Sequence, residues 1–260
     1  MDLQLKDKVV LITGGAKGIG EAISRGCARE GAVPVFLDKD IEAGERLLSE
    51  LRAASARCAF LRFDVLEVEN CRAALEQTLR EFGRLDVLVN NVGANDNVGL
   101  ETGSPEKYIG SLRLNLFHYY NMAHFALPAL KKSQGCILNT ASKVAVTGQG
   151  GTSGYTSAKG AILSLTRDWA AELLSSGIRV NAIVPAEVMT PLYRWWVNTF
   201  PNPEEKLSHI VSKIPLGRRM TQPHEIAAMA LFLISPQASH ITGQHVFVDG
   251  GYTHLDRALT

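Results

Sequence analysis

The chain has 260 residues, 46% of them hydrophobic and 20% charged, enough to bury one large core, so a single domain over 1–260 is expected. A formal net charge of +1 gives no electrostatic pull toward nucleic acid or an anionic membrane. No basic leader precedes an apolar stretch, long apolar runs all break before about 18 residues, and Cys27, Cys58, Cys71 and Cys136 lack metal-ligand spacing, so the expectation is a cytoplasmic protein with reduced thiols and no metal.

Lys8 to Thr13 reads as a short buried strand that runs straight into Gly14-Gly15-Ala16-Lys17-Gly18-Ile19-Gly20. A helix follows, with Ile19, Ala22, Ile23, Cys27 and Ala28 at helical spacing until Gly31. Strand, glycine turn and helix form the geometry in which backbone N–H groups and a helix N-terminus hold a pyrophosphate. A tight turn without a ligand uses the same glycines, but a second strand, Val33 to Leu37, ends in Asp38, where an acid can accept hydrogen bonds from a ribose diol.

Helical and extended patterns then alternate without linker or repeat. A helix is predicted from Ile41 to Ala54, a strand from Cys58 to Phe63, and a helix carrying Val68, Cys71, Leu75, Leu79 and Phe82. Next come a strand at Asp86 to Asn90, a long helical region from Pro105 to Leu130, and a strand at Cys136 to Thr140. A helix bearing Tyr155 and Lys159 has Ala158, Ile162, Leu165 and Trp169 as its buried stripe, and a strand at Arg179 to Val184 follows. Between Ala186 and Leu216 prolines surround aromatic residues, which reads as a lid inserted before a last helix, Pro223 to Ile234, and a strand, His245 to Val248. The pattern predicts an α/β unit whose doubly wound, mostly parallel sheet has about seven strands and helices on both faces.

Tyr155 and Lys159 are four residues apart, so a helix sets a phenol and an ammonium on one face. Tyrosine titrates near pH 10, and half-ionising it near pH 7 takes about 4 kcal/mol. An ammonium about 4 Å away at an effective dielectric near 20 contributes about that much, less the desolvation of the phenolate. A tyrosinate near neutral pH is therefore expected, helped by any second positive charge such as an oxidised nicotinamide ring. Taken alone, the same spacing fits a solvated lysine beside a half-buried tyrosine.

Thr13-Gly14-x-x-x-Gly18-Ile19-Gly20, Asp64-Val65, Asn90-Asn91-Val92-Gly93, Asn115, Ser142, Tyr155-x-x-x-Lys159, Asn181 and Pro185 occur in an order and spacing that resemble the short-chain dehydrogenase/reductase family over almost the whole chain. The resemblance implies a Rossmann-like domain, with Tyr155 as proton acceptor and donor and Lys159 lowering its pKa and holding the nicotinamide ribose. It implies Ser142 aiming the substrate oxygen, Asn115 completing a water relay to Lys159, and a dimer or tetramer. Cofactor contacts carried over are Gly14, Lys17, Gly18, Ile19, Gly20, Asp38, Asp64, Val65, Asn91, Gly93, Tyr155, Lys159, Pro185, Val188 and Thr190. Two departures stand out: Val92, where the family usually has Ala, adds bulk beneath the cofactor, and Ala186, usually Gly, restricts the substrate loop. Asp38 favours the free 2′-hydroxyl of NAD and repels a 2′-phosphate, while Lys17 and Lys39 keep NADP open by offering that phosphate a partner.

Polar loop residues, among them Asn95, Gln149, Glu187 and Arg194, with Tyr193, Trp195 and Trp196 beside them, suit a polyhydroxylated ligand better than an acyl chain. The two tryptophans serve equally as anchors of a lid or a subunit contact. Asn90 to Leu100, Pro185 to Arg194 and Asp249 to Leu259 are similar to the matching stretches of bacterial L-fucose dehydrogenases within the family. This implies oxidation of L-fucose or a related aldose at C1 to the lactone, with Gln149, Glu187 and Arg194 as hydroxyl contacts. An NADPH-dependent reductase of a ketone or 3-oxoacyl group, and a nucleotide-sensing protein without catalysis, remain the alternatives. The run from Tyr252 to Thr260 is expected to reach a neighbouring subunit, with His254 and Arg257 as interface or tail residues.

Overall fold

Every inner strand of the sheet is a run of mostly apolar residues buried on both faces, as parallel strands sandwiched between helices require, and the two edge strands are less buried. The computed structural model describes residues 1–256. Its strands are β1 (Val9–Thr13), β2 (Val33–Asp38), β3 (Ala59–Arg62), β4 (Val87–Asn90), β5 (Cys136–Thr140), β6 (Arg179–Pro185) and β7 (His245–Val248). They form a seven-stranded sheet in the order β3-β2-β1-β4-β5-β6-β7. All its strand pairs are parallel, so the expected mostly parallel sheet is parallel throughout.

The helices are α1 (Gly18–Arg29), α2 (Ile41–Ala53), α3 (Val68–Phe82), α4 (Pro105–Leu112), α5 (His118–Ser133), α6 (Ser153–Glu172), α7 (Pro191–Val197), α8 (Pro203–Val211) and α9 (Pro223–Ile234). Side chains alternate across each strand. Val10 and Ile12 of β1 therefore pack with Ile23 and Cys27 of α1, Leu47 of α2 and Ile226 of α9 on one face. Val9 and Leu11 pack with Leu75 of α3, Met122 of α5 and Ile162 of α6 on the other. All four cysteines are free and buried. No helix among the described residues is long and apolar enough to cross a membrane.

Strand order reverses between β1 and β4, which opens a crevice at the carboxyl ends of the strands. The glycine turn leaves β1 there, and Asn91, Ser142 and Glu187 follow the ends of β4, β5 and β6.

Two expectations change. The long helical region splits into α4 and α5 around a π-helical turn, Arg113–Phe117, that contains Asn115. Widened turns of this kind recur at functional sites, and here the Asn115 amide donates to Ser111 O at 3.1 Å while its oxygen reaches out to Ala94 N. The lid contains two short helices, because Pro191 and Pro203 sit in the first turns, where proline starts a helix instead of breaking it. After β7, Tyr252 lies over Lys143, and His254 packs edge-on against Phe247 with ring centroids 4.3 Å apart. Arg257 lies outside the described residues.

Candidate active site

The glycine turn is shaped by close approaches. A Cβ on Gly20 would lie 2.0 Å from Gly14 O, and Gly14 itself holds a left-handed φ of 62°. No side chain caps α1, so its first backbone N–H groups remain for an anion. Asn91 braces the turn, donating from its amide to Thr13 O (3.1 Å) and Gly14 O (3.3 Å). This amide shapes the cradle. Thr190 lies against Gly18, and Val188 bridges to Thr221, so the entry to the lid rests on the glycine turn.

Asp38, at the end of β2, accepts from Ala16 N at 3.3 Å and Asp40 N at 3.1 Å, leaving lone pairs on both oxygens for a diol. Lys17 pairs with Asp40, and Lys39 is 3.9 Å from Asp64. Asp64 also accepts from Leu66 N at 3.1 Å, and Val65 beside it is buried. An uncapped helix, a turn that a Cβ would fill and an acid at the second strand all fit a dinucleotide.

Ser142, just past β5, and Tyr155, in the first turn of α6, face the same crevice. Lys159 follows one turn later, its Nζ 5.7 Å from the Tyr155 ring centroid. The ammonium donates to Tyr119 OH at 3.0 Å and Thr140 O at 2.8 Å, and Tyr119 donates its own proton to Thr140 O at 2.9 Å. Asn115 accepts from Ala94 N at 2.8 Å. A Cβ on Gly93 would sit 2.9 Å from Asn115 Oδ1 and 3.2 Å from Lys159 Nζ, so the absence of a side chain there lets these two groups flank one cranny.

The tyrosinate expected from the sequence is not what the protein alone provides. Burial pushes the Tyr155 phenol up to about 12, a hydrogen bond from Ser142 lowers it in part, and the charge of Glu187 raises it further. Burial pulls the Lys159 ammonium down to about 7. Spacing placed the pair correctly, but desolvation acts against both charged forms, and the ammonium's hydrogens point to Tyr119 and Thr140. Tyr119 carries no motif, and nothing local in the sequence marks it. The buried neighbour His118 donates to Leu114 O, its Nδ1 is unpartnered, and burial holds it down to about 4.

At the exits of β5 and β6 the structure brings Glu187 together with two residues that the sequence did not single out, Lys143 and Tyr252. Lys143, adjacent to Ser142, forms a nearly buried ion pair with Glu187. Tyr193 OH donates to Glu187 Oε2 at 2.6 Å, and the Tyr252 ring lies 3.8 Å from Lys143 Nζ. Backbone bonds from Thr221 N to Glu187 O (3.0 Å) and from Met189 N to Thr221 O (2.9 Å) pin the loop leaving β6. A cavity of about 440 Å³ opens here, with Lys143, Gln149 and Tyr252 among its walls.

Arg194 and Trp195, expected at the substrate, instead face outward, Trp195 being 65% exposed. The period of α7 turns Tyr193 and Trp196 inward, where they pack edge to face, and residues 194 and 195 away. Asn95 is exposed and accepts from Asn97 N at 3.1 Å within its own turn. Among the described residues no cluster of His, Cys, Asp or Glu could hold a metal.

A switch-point cradle for a dinucleotide beside a serine, a tyrosine and a lysine defines an oxidoreductase that moves hydride to or from a nicotinamide cofactor. A family model described as enoyl-(acyl carrier protein) reductase matches residues 14–253, and the chain belongs to the short-chain dehydrogenase/reductase family. It is 40% identical over 245 residues to the L-fucose dehydrogenase of Oryctolagus cuniculus, covering 94% of this chain and 84% of that one. It is 33% identical over 250 residues to the 3-oxoacyl-[acyl-carrier-protein] reductase FabG of Thermotoga maritima, covering 96% and 99%. The crystal structure of Cj0485 dehydrogenase matches at 47% identity with a TM-score of 0.95, covering 100% of this chain and 99% of that one.

Proposed function

We propose that the protein is an NAD-linked dehydrogenase of a free sugar, L-fucose or a related aldose, which it oxidises at C1 to the lactone. The observation that carries this reading is the wall beside Ser142. Lys143 and Gln149 line the cavity, with Glu187 and Tyr193 bonded behind Lys143, so donors and acceptors stand where an acyl chain would need an apolar channel. The similarity to an L-fucose dehydrogenase supports it. For NAD, the support is Asp38 at the ribose position, with Lys17 and Lys39 already turned toward Asp40 and Asp64.

On this reading Ser142 and Tyr155 hold the anomeric hydroxyl between them. Tyr155, as phenolate, takes the hydroxyl proton while the carbinol hydride departs, leaving C1 as the lactone carbonyl. When bound, the oxidised nicotinamide supplies the hydride acceptor and a positive charge that favours the phenolate. Lys159 holds charge beside Tyr155, and Ser142 stabilises the oxygen as its charge develops. A cytoplasmic homodimer or homotetramer that binds neither nucleic acid nor membrane belongs to the same proposal. Ile109, Phe117 and Tyr120, exposed along α4, the π turn and α5, would be covered in an assembly.

The test is absorbance of reduced nicotinamide with a panel of aldoses, secondary alcohols and ketones, run with each coenzyme. Turnover of L-fucose or a related aldose with NAD supports the reading. Silence of all aldoses with reduction of a ketone or 3-oxoacyl thioester by NADPH replaces it with the second reading, which the similarity to FabG favours.

A further inference from the structure

We propose that Lys143 and Glu187 act as one recognition unit for a second hydroxyl on the substrate, next to the one being oxidised, with the ammonium donating to it and the carboxylate accepting from it. The inference rests on the dehydrogenase reading of the cleft and sharpens its substrate class to vicinal diols.

The pair occupies the right place for this task. Lys143 is the next residue after Ser142, and Glu187 lies two residues past the end of β6, the strand beside β5. The ion pair therefore spans two adjacent strand exits at the edge of the crevice. It is also held from both ends: Tyr193 OH donates to one carboxylate oxygen at 2.6 Å, Lys143 pairs with the other, and the Tyr252 face covers the ammonium. Side-chain exposures of 8% for Lys143 and 14% for Glu187 leave little room for either to swing into solvent, yet Lys143 lines the open cavity.

The chemistry selects the ligand. An ammonium only donates and a carboxylate only accepts, whereas a hydroxyl does both, so one hydroxyl can bridge the two without stranding a charge. The unit is neutral overall, so it gives no net attraction to a carboxylate or phosphate on the substrate. Lys143 follows Ser142 directly in the chain, which sets the unit beside the serine at the exit of β5.

The experiment compares alcohols that differ by a single hydroxyl: 2,3-butanediol with 2-butanol, and L-fucose with its 2-deoxy analogue. Discrimination is the ratio of kcat/KM values within each pair, with NAD saturating. The variants are Lys143→Met, Glu187→Gln and the double variant, which removes both charges so that neither is left buried alone. Thermal melts and NAD titration confirm that each variant folds. Wild type is expected to favour the added hydroxyl by roughly ten- to hundred-fold, as for a hydrogen bond to a charged group. The double variant should bring that ratio close to one, mainly through KM, and Lys143→Arg should restore part of it.

Equal ratios in wild type and double variant would overturn the inference and reduce the pair to an anchor for the lid. If no aldose reacts but 2,3-butanediol is still preferred in a Lys143-dependent way, the sugar reading falls and the diol unit stands.

Discussion

Tyr119→Phe removes one oxygen from the buried group of donors and acceptors around Lys159. Its hydroxyl accepts from the ammonium at 3.0 Å, and among the described residues the ammonium's one other acceptor is Thr140 O at 2.8 Å. A hydrogen bond to a charged group is worth about 1.5–3 kcal/mol, or about one to two pKa units. Lys159, already drawn down to about 7, should therefore titrate lower by that amount in the variant.

The consequence for catalysis follows from the pair as a unit. The reactive form has a protonated Lys159 and an ionised Tyr155, and it carries the same number of protons as the inactive form with neutral amine and phenol. Their ratio is independent of pH and falls by the same factor as the lysine acidity constant rises. The plateau of kcat/KM for alcohol oxidation should then drop roughly 10- to 100-fold, and the acid limb should move down by about one to two pH units. At the acid end both enzymes start from the doubly protonated pair, where the lysine pKa no longer enters, so the two profiles should converge. The assay is kcat/KM at saturating NAD from about pH 5 to about pH 9, the range in which the shifted lysine titrates. Superimposable profiles, or an equal loss at every pH including the acid end, would refute the reasoning.

Four further outcomes follow from the same coordinates. Lys159 has a folded pKa of about 7 against an ordinary 10.5, so the unfolded chain holds the extra proton between those values and stability should climb with pH across that window. Lys159→Met should lack this climb, changing the wild-type-minus-variant unfolding free energy by up to about 5 kcal/mol in denaturant melts from neutral to alkaline pH. Tyr155→Phe should nearly abolish turnover while NAD titration shows binding intact. Gly20→Ala forces a Cβ to 2.0 Å from Gly14 O, so coenzyme affinity by fluorescence titration should fall at least ten-fold even if the chain still folds. Asp38→Ser should lower the NAD-to-NADP ratio of kcat/KM by ten-fold or more, because it removes both the diol acceptor and the charge that repels a 2′-phosphate.

Pro223–Ile234 and His245–Val248 fall where the sequence placed them, because their signals are local. Proline occupies the first turn of α9, with Gln222 and Glu225 closing a capping box. The glycine turn was legible for the same reason, since its constraint acts between Gly14 and Gly20, six residues apart. The π turn left no local trace, because it depends on Asn115 bonding to Ala94 across a loop. Tyr119 was hidden in the same way: Lys159 is 40 residues away in sequence, and only the folding of α5 and α6 onto the same face of the sheet makes them partners. In the lid, composition gave the aromatic residues, but the direction each one faces depends on the phase of α7, which proline spacing alone does not fix.

Electrostatics was the least legible layer, because dielectric surroundings belong to the folded chain and not to its spacing. Tyr155 and Lys159 lie on one helix as expected, yet burial moves the phenol to about 12 and the amine to about 7. Those shifts leave the protein alone with a protonated phenol and an amine that is only partly charged near neutral pH, so the charge needed for proton abstraction must be completed by the ligands that enter the crevice. Glu187 bears on this directly: its carboxylate raises the Tyr155 pKa, and the ion pair with Lys143 limits how strongly it does so. A substrate hydroxyl that drew Lys143 away from Glu187 would therefore also disfavour the phenolate, whereas one bridging both would leave that balance intact. On the proposed reading, recognition of the substrate and ionisation of the base are coupled through one carboxylate just past β6.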